Sequence, residues 1–158
     1  MEILDSSYIL HSDLDFSNGE YVVTNSILFE IKEENALMSI ELALKNGSIK
    51  VEEPKKIFIE KIKKQAKKTG DLEYLSNADI DILAVALETH YEIFTDDYRI
   101  QNVASSLKIK FRSLAQRGIK KNLHWMKICE GCGREYEKGD TCNVCGSTLK
   151  KTAKPFKQ

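Results

Sequence analysis

Glu2-Ile3-Leu4-Asp5-Ser6-Ser7 opens the chain with a short apolar run that stops at a carboxylate and two hydroxyls. A strand ends this way where it reaches the C-terminal edge of a parallel sheet, the edge at which such sheets bind ligands. Glu92-Ile93-Phe94-Thr95-Asp96-Asp97 repeats the pattern much later in the chain. Two more β-like runs, Tyr21-Val22-Val23 and Ile49-Lys50-Val51, lie between them, and longer stretches with helical spacing separate all four. Strands alternating with helices predict an α/β fold, a parallel sheet with helices on both faces.

Helices are expected over 25–33, 35–45, 55–68, 78–90 and 97–107, and a last strand over 109–114. Gly47 and Gly70 are natural helix stops. Ile82, Leu83, Val85, Ala86 and Leu87 make one helix apolar nearly all round, so it should be the most buried. The lysine-rich helix carries Phe58, Ile59, Ile62 and Ala66 on one side. Its lysines read either as an RNA track or as a solvated face.

All four cysteines of the 158-residue chain lie between positions 129 and 145. The rest must therefore be held by apolar packing. The expected organisation is a sheet domain over 1–115, a linker over 116–126 containing Gly118, a cysteine module over 127–149 and a disordered basic tail over 150–158. Cys129-Glu-Gly-Cys132-Gly133 and Cys142-Asn-Val-Cys145-Gly146 are two knuckles of identical spacing. Two intervening residues let one tight turn aim both thiolates at one ion, and the following glycine can take the positive φ of the turn. Four such ligands predict one structural zinc in a small zinc ribbon, with no open position for water.

No stretch approaches the roughly 20 apolar residues that span a bilayer, and Met1-Glu2-Ile3-Leu4-Asp5 lacks the basic and apolar regions of a signal peptide. A cytoplasmic, reducing setting without a membrane partner is expected, where clustered cysteines bind metal. The net charge is zero, but residues up to Pro54 carry 3 basic against 11 acidic side chains, and those from Ala115 onward 10 against 4. Such polarity suits a basic end touching a polyanion and an acidic end gathering cations, although uneven solvated surface would look the same. Arg117, Lys120, Lys121, Lys127 and Arg134 around the first knuckle are the candidate RNA contacts. Trp125 among them could stack on a base or pack between domains.

Asp5 and the pair Asp96 and Asp97 end two strands on one edge, and two further acids can reach it. Glu30 lies one turn into the helix after Tyr21-Val22-Val23-Thr24, and Asp79 opens the helix after Ser76-Asn77-Ala78. Converging carboxylates repel one another unless cations neutralise them, and hard oxygen ligands select one or two Mg2+ or Mn2+ ions. Ions held there can activate water for phosphodiester hydrolysis. Each acid also has a structural reading: Asp5 as a helix cap, Asp79 as the partner of Ser76 in a capping box, Asp96 and Asp97 as dipole-favouring residues, Glu30 as solvated surface. Asp81 lies about 200° around its helix from Asp79 and faces elsewhere. His90 and His124 lack partners at metal-ligand spacing.

Ile3-Leu4-Asp5-Ser6-Ser7, Glu30, Ser76-Asn77-Ala78-Asp79 with Ile82-Leu83-Ala84-Val85-Ala86, and Thr95-Asp96-Asp97 resemble the motifs of PIN-domain nucleases, over residues 1 to about 115. Thr95-Asp96-Asp97-Tyr98 with Gln101-Asn102-Val103, Gly118, Trp125 and the four-cysteine ribbon narrows the resemblance to the "NIN-one-binding" endonucleases of archaea and eukaryotes. The resemblance implies an endoribonuclease that matures the 3′ end of small-subunit ribosomal RNA within a pre-ribosomal particle, alongside ribosome assembly factors, using manganese or magnesium. By position it carries the catalytic acids onto Asp5, Glu30, Asp79 and Asp97. Asp96 is a less regular neighbour, because the family often has a non-acidic residue there. Two rivals remain at this level: a toxin-like PIN ribonuclease acting on other RNAs, and a non-catalytic RNA-binding assembly scaffold.

Overall fold

The computed structural model describes residues 1–11, 16, 19–113 and 123–155. Strand β1 (Glu2–Leu4) takes the middle of an all-parallel sheet with β2 (Tyr21–Val23), β3 (Ile49–Val51), β4 (Glu92–Phe94) and β5 (Phe111–Arg112), in the order β3-β2-β1-β4-β5. Ile3 pairs with Val22 on one side and with Ile93 on the other. Ile3, Leu4, Val22, Val23, Ile93 and Phe94 are all buried, so the strands are covered on both faces. That is why they read as continuous apolar runs rather than alternating ones. The chain winds outward from β1 through β2 to β3, then returns to build β4 and β5 on the opposite side. The reversal falls between β1 and β4, and the crevice that parallel sheets use opens at their C-terminal ends.

Helices α1 (Ser6–His11), α2 (Asn25–Glu30), α3 (Glu34–Lys45), α4 (Lys56–Thr69), α5 (Asn77–Thr89) and α6 (Tyr98–Ser106) connect the strands. In α5, Ala78, Ile80, Ile82, Leu83, Ala84, Val85 and Ala86 are buried, as its all-round apolar surface foretold. Each fully buried large aliphatic side chain there contributes about 1.5–3 kcal/mol. Ile62 and Ala66 of α4 are buried too, and its lysines lie outside that stripe. Helix α2 stops at Glu30 rather than at residue 33 because Ile31 turns extended, with φ −75° and ψ 120°. Strand β5 is likewise only the two residues Phe111–Arg112; of the span expected for it, Leu114 lies outside the described residues. Helix α1, six residues long, is too short to show a helical period in sequence.

The ribbon is a separate antiparallel sheet of order β7-β6-β8, formed by β6 (Leu123–Cys129), β7 (Glu135–Tyr136) and β8 (Leu149–Pro155). This corrects two expected boundaries. Residues 150–155 are not a disordered tail but most of β8, paired with β6 from Cys129↔Leu149 through Leu123↔Pro155. Residues 123–126, assigned to the linker, begin β6. The lysine-rich composition of 150–158 argued for disorder, but a partner strand offering a full backbone ladder outweighs side-chain charge. Among the described residues, no helix is long and apolar enough to cross a membrane.

Candidate active site and metal centre

Asp5 follows directly on β1, and its backbone N–H donates to Phe94 O at the end of β4 (3.1 Å). That bond binds the two strand ends together at the crevice. The Asp5 side chain is only 3 % exposed. Its Oδ2 accepts from Ser7 Oγ (2.7 Å) and from the fully buried Thr95 Oγ1 (2.8 Å). Thr95 Oγ1 in turn accepts from the Asp97 N–H (3.0 Å), so one hydroxyl sets both acids. Thr95 itself is anchored by the buried Gln101, whose Nε2 donates to Thr95 O (3.0 Å).

Asp97 is the N-cap of α6, where its Oδ1 accepts from the Arg99 N–H (2.7 Å). Asp79 closes a capping box: its Oδ2 accepts from the Ser76 N–H (2.7 Å) while Ser76 Oγ accepts from the Asp79 N–H (3.1 Å). The capping reading of Asp79 is thus borne out. Burial pushes its carboxyl up to about 6, with the negative charges of Asp5 and Asp97 adding to the rise and the Ser76 hydrogen bonds opposing it. The charges of Asp5 and Asp97 thus reach Asp79, although burial is the larger cause of its rise. Glu30, the exposed last residue of α2, is tied in through Ser6, whose Oγ lies 3.2 Å from Glu30 Oε2 and 3.4 Å from Asp5 Oδ1. The single Ser6 proton is shared between the two.

The fifth acid, Asp96, has its own partner. Its Oδ1 accepts a hydrogen bond from Ser113, just beyond β5. Asp81 accepts from Ser26 Oγ in the first turn of α2 (2.7 Å). Sequence reasoning missed the positioning roles of Ser6, Thr95 and Gln101. For Gln101 a signal existed, because a polar residue between Ile100 and Val103-Ala104 in an apolar run must satisfy its amide inside the core.

Among the described residues, the four cysteines are the one group of potential metal ligands whose donor atoms all lie within 4.8 Å of one another. The hard oxygen donors of Asp5, Glu30, Asp79 and Asp97, with the upward pressure on Asp79, are chemically suited to a divalent cation, which these residues could hold. In the ribbon, Cys129 and Cys145 Sγ are 3.3 Å apart and Cys132 and Cys142 Sγ 3.6 Å. A disulfide would need about 2.05 Å, whereas thiolates about 2.3 Å from one zinc stand nearly 4 Å from each other. Backbone N–H groups of Cys132 and Val144 donate to Cys129 and Cys142 sulfur (both 3.4 Å). Gly133 and Gly146 take φ of 71° and 73°, the positive values expected of the knuckles. The Tyr136 hydroxyl, 3.0 Å from Cys142 Sγ, is the chief reason that this thiol is held down to about 5. It is thereby prepared as a thiolate ligand.

Of the candidate RNA contacts, Arg117, Lys120 and Lys121 lie outside the described residues. Lys127 Nζ donates to Gly139 O (2.5 Å) and Asp140 Oδ1 (2.8 Å), bracing β6 against the loop that leads to the second knuckle. The Arg134 side chain is exposed.

A parallel α/β sheet with hydrogen-bonded carboxylates at its switch point, joined to a four-thiolate ribbon, defines the class of acidic-site nucleases with an appended zinc-ribbon fold. The family model described as "PIN domain of ribonuclease" matches residues 3–89, a span that includes Asp5, Glu30 and Asp79. "Endoribonuclease Nob1" of Pyrococcus abyssi is 41% identical over 151 residues, covering 94% of this chain and 91% of the relative. "Ribonuclease VapC1" of Thermoplasma acidophilum is 34% identical over 150 residues, covering 94% and 76%. "20S-pre-rRNA D-site endonuclease NOB1" of Saccharomyces cerevisiae is 31% identical over 81 residues, covering 51% of this chain and 18% of the relative. The chain belongs to the PIN-domain ribonucleases, and it is an endoribonuclease.

Proposed function

We propose that this endoribonuclease matures the 3′ end of small-subunit ribosomal RNA by one endonucleolytic cut. The observation that carries the reading is the joining, in one chain, of the acidic crevice at β1 and β4 to the four-cysteine ribbon. The name of the yeast relative, a 20S-pre-rRNA endonuclease, and the near full-length match to the Pyrococcus protein support it. Mn2+ or Mg2+, one or two ions, is the proposed catalytic cofactor, and one Zn2+ the structural one. We further infer a cytoplasmic setting, with the pre-ribosomal particle and its assembly factors as partners.

When bound, the divalent cation supplies a nucleophilic water near neutral pH and shields charge on the phosphate. The chain's own part is positioning. Thr95 and Ser7 hold Asp5 in one orientation, Thr95 and the α6 N-terminus hold Asp97, and the Ser76 capping box holds Asp79. Such preorganisation means that little rearrangement is needed when the phosphodiester arrives. With a cation in the crevice, Asp79 would have its pKa lowered from about 6 and keep its carboxylate ionised to lower pH.

The name of the Thermoplasma relative, a VapC ribonuclease, favours a second reading in which other RNAs are cut. Incubating the protein and Mn2+ with RNA spanning the small-subunit 3′ end, beside transfer and messenger RNAs, separates the two. A single cut at the mature 3′ end, absent from the other RNAs, is the expected result. Equal or preferred cutting of transfer or messenger RNA would overturn the ribosomal assignment.

A further inference from the structure

Away from the carboxylates, the ribbon and the C-terminal end of α4 enclose a cleft of about 450 Å³, whose lining includes Lys67, Gly70, Tyr74, Trp125, Lys127 and Lys151. Its volume lies in the roughly 300–1,000 Å³ range of sites that take small ligands or single residues of a polymer. The lining holds five lysines and two glutamates, one of which, Glu73, is already paired with Lys138 at 2.7 Å. Lys127 is likewise paired with Asp140 at 2.8 Å, and lysines still outnumber glutamates in a lining with aromatic walls.

Those walls connect to the acids. Asp97 caps α6 through the Arg99 N–H, and the Arg99 guanidinium lies 5.4 Å from the centre of the Tyr74 ring. Lys151 Nζ of β8 lies 3.4 Å from the centre of the same ring and 4.8 Å from that of Trp125. Tyr74 ends the 3-10 turn Leu72–Tyr74, two residues before Ser76 opens the Asp79 capping box. A line of alternating cations and rings thus runs from the acidic crevice to the ribbon: Asp97, Arg99, Tyr74, Lys151, Trp125. Tyr74 is 41% exposed, so its ring presents surface to solvent. Stacking faces beside a row of ammonium and guanidinium groups are the chemistry of single-stranded nucleic-acid binding. An apolar protein partner would meet a lining rich in lysine here.

We propose that this cleft binds single-stranded RNA flanking the cut, a base stacking at Tyr74 and Trp125 while Lys151, Lys67 and Arg99 take phosphates. The inference rests on the endoribonuclease reading and adds to it where the strand runs and which groups hold it. Gly70 makes the cleft possible. It sits at φ 80°, and a Cβ there would come 2.6 Å from Trp125 O, so only glycine lets β6 approach α4 this closely.

Trp125 is the only tryptophan in the chain, so its emission reports on the cleft directly. Full-length protein carrying Asp5→Asn, which should bind without cutting, is titrated with a single-stranded 10-nucleotide RNA bearing a fluorescent label. Anisotropy reads binding, and tryptophan emission reads the cleft. Expected are saturable quenching of Trp125 with the same midpoint as the anisotropy change, affinity weakened on the order of tenfold by Tyr74→Ala, and affinity recovered in Tyr74→Phe. RNA that binds by anisotropy while Trp125 emission stays constant and Tyr74→Ala binds as tightly as its parent would overturn the cleft and leave the endoribonuclease reading standing. No binding of any RNA would overturn both.

Discussion

Thr95 carries an unusual share of the site for a residue that touches no substrate. Its buried hydroxyl donates to Asp5 Oδ2 and accepts from the Asp97 N–H, so Thr95→Val removes a bond to a buried carboxylate and strands a backbone donor. Hydrogen bonds to charged groups contribute about 1.5–3 kcal/mol. Urea unfolding of the valine variant should show a loss of that order, and its cleavage rate should fall because Asp5 loses its fixed orientation. Asp79 behaves oppositely. Because its folded pKa is raised to about 6 from the ordinary 3.8, the folded state binds the proton more tightly than the unfolded state does. The metal-free protein should therefore lose stability as pH climbs from about 4 to 6, with no further change from this group above that. Asp79→Asn can keep the Ser76 cap while removing the charge. Its melting temperature should exceed that of the parent at pH 7 in chelator, match it near pH 4, and be accompanied by loss of cleavage; an unchanged melting temperature at pH 7 would contradict the raised pKa. At this scale the sequence was informative wherever an acid ends a strand or opens a helix, which is how Asp5, Asp79 and Asp97 could be named. It was silent on Thr95 and Ser6, because nothing local tells a hydroxyl that joins two acids from one that faces water.

The elements that matter most are those whose ends meet. Helix α4 stops at Gly70 in the left-handed conformation, and β6 lies close against that stop. Gly70→Ala would impose about 1–2 kcal/mol of left-handed strain on an L residue, and its Cβ would also crowd Trp125 O at 2.6 Å. Denaturant melts should show at least that loss, whereas Gly47→Ala, at φ 82° but with open space around its Cβ position, should show the strain alone. Helices α3 to α6 were legible nearly to the residue, since glycine stops, a capping box and apolar periodicity are local signals. Strand β8 was not. Its lysines read as a solvated tail, and only the facing ladder of β6, more than twenty residues earlier in the chain, makes it a strand. A sheet's stability resides in its pairing, which one segment's composition cannot display.

At the scale of the whole molecule, two units with different sources of stability share one chain. The sheet domain has a continuous apolar core, while the buried cluster of the ribbon is Cys129, Cys142 and Leu149 with Tyr136 packed against it. So small a core depends on its metal. Stripping the metal with a strong chelator, or making Cys132→Ser, should change Trp125 emission as the ribbon loosens, while far-ultraviolet dichroism shows the helices of the sheet domain intact; simultaneous loss of both signals would mean that the units unfold as one. The basic ribbon half and the acidic first half also predict RNA affinity that falls with added salt. The central claim, that the carboxylates at the β1 and β4 strand ends cut RNA with a divalent cation, is tested most directly by single-turnover cleavage of one labelled RNA by the parent, Asp5→Asn and Asp97→Asn proteins, each in Mn2+, Mg2+ and chelator. The expected result is cleavage by the parent in either metal, none in chelator, and at least a hundredfold loss in both variants, the scale of several kcal/mol of lost charge stabilisation. Cleavage that persists in chelator, or that survives either substitution at the parent rate, would contradict it.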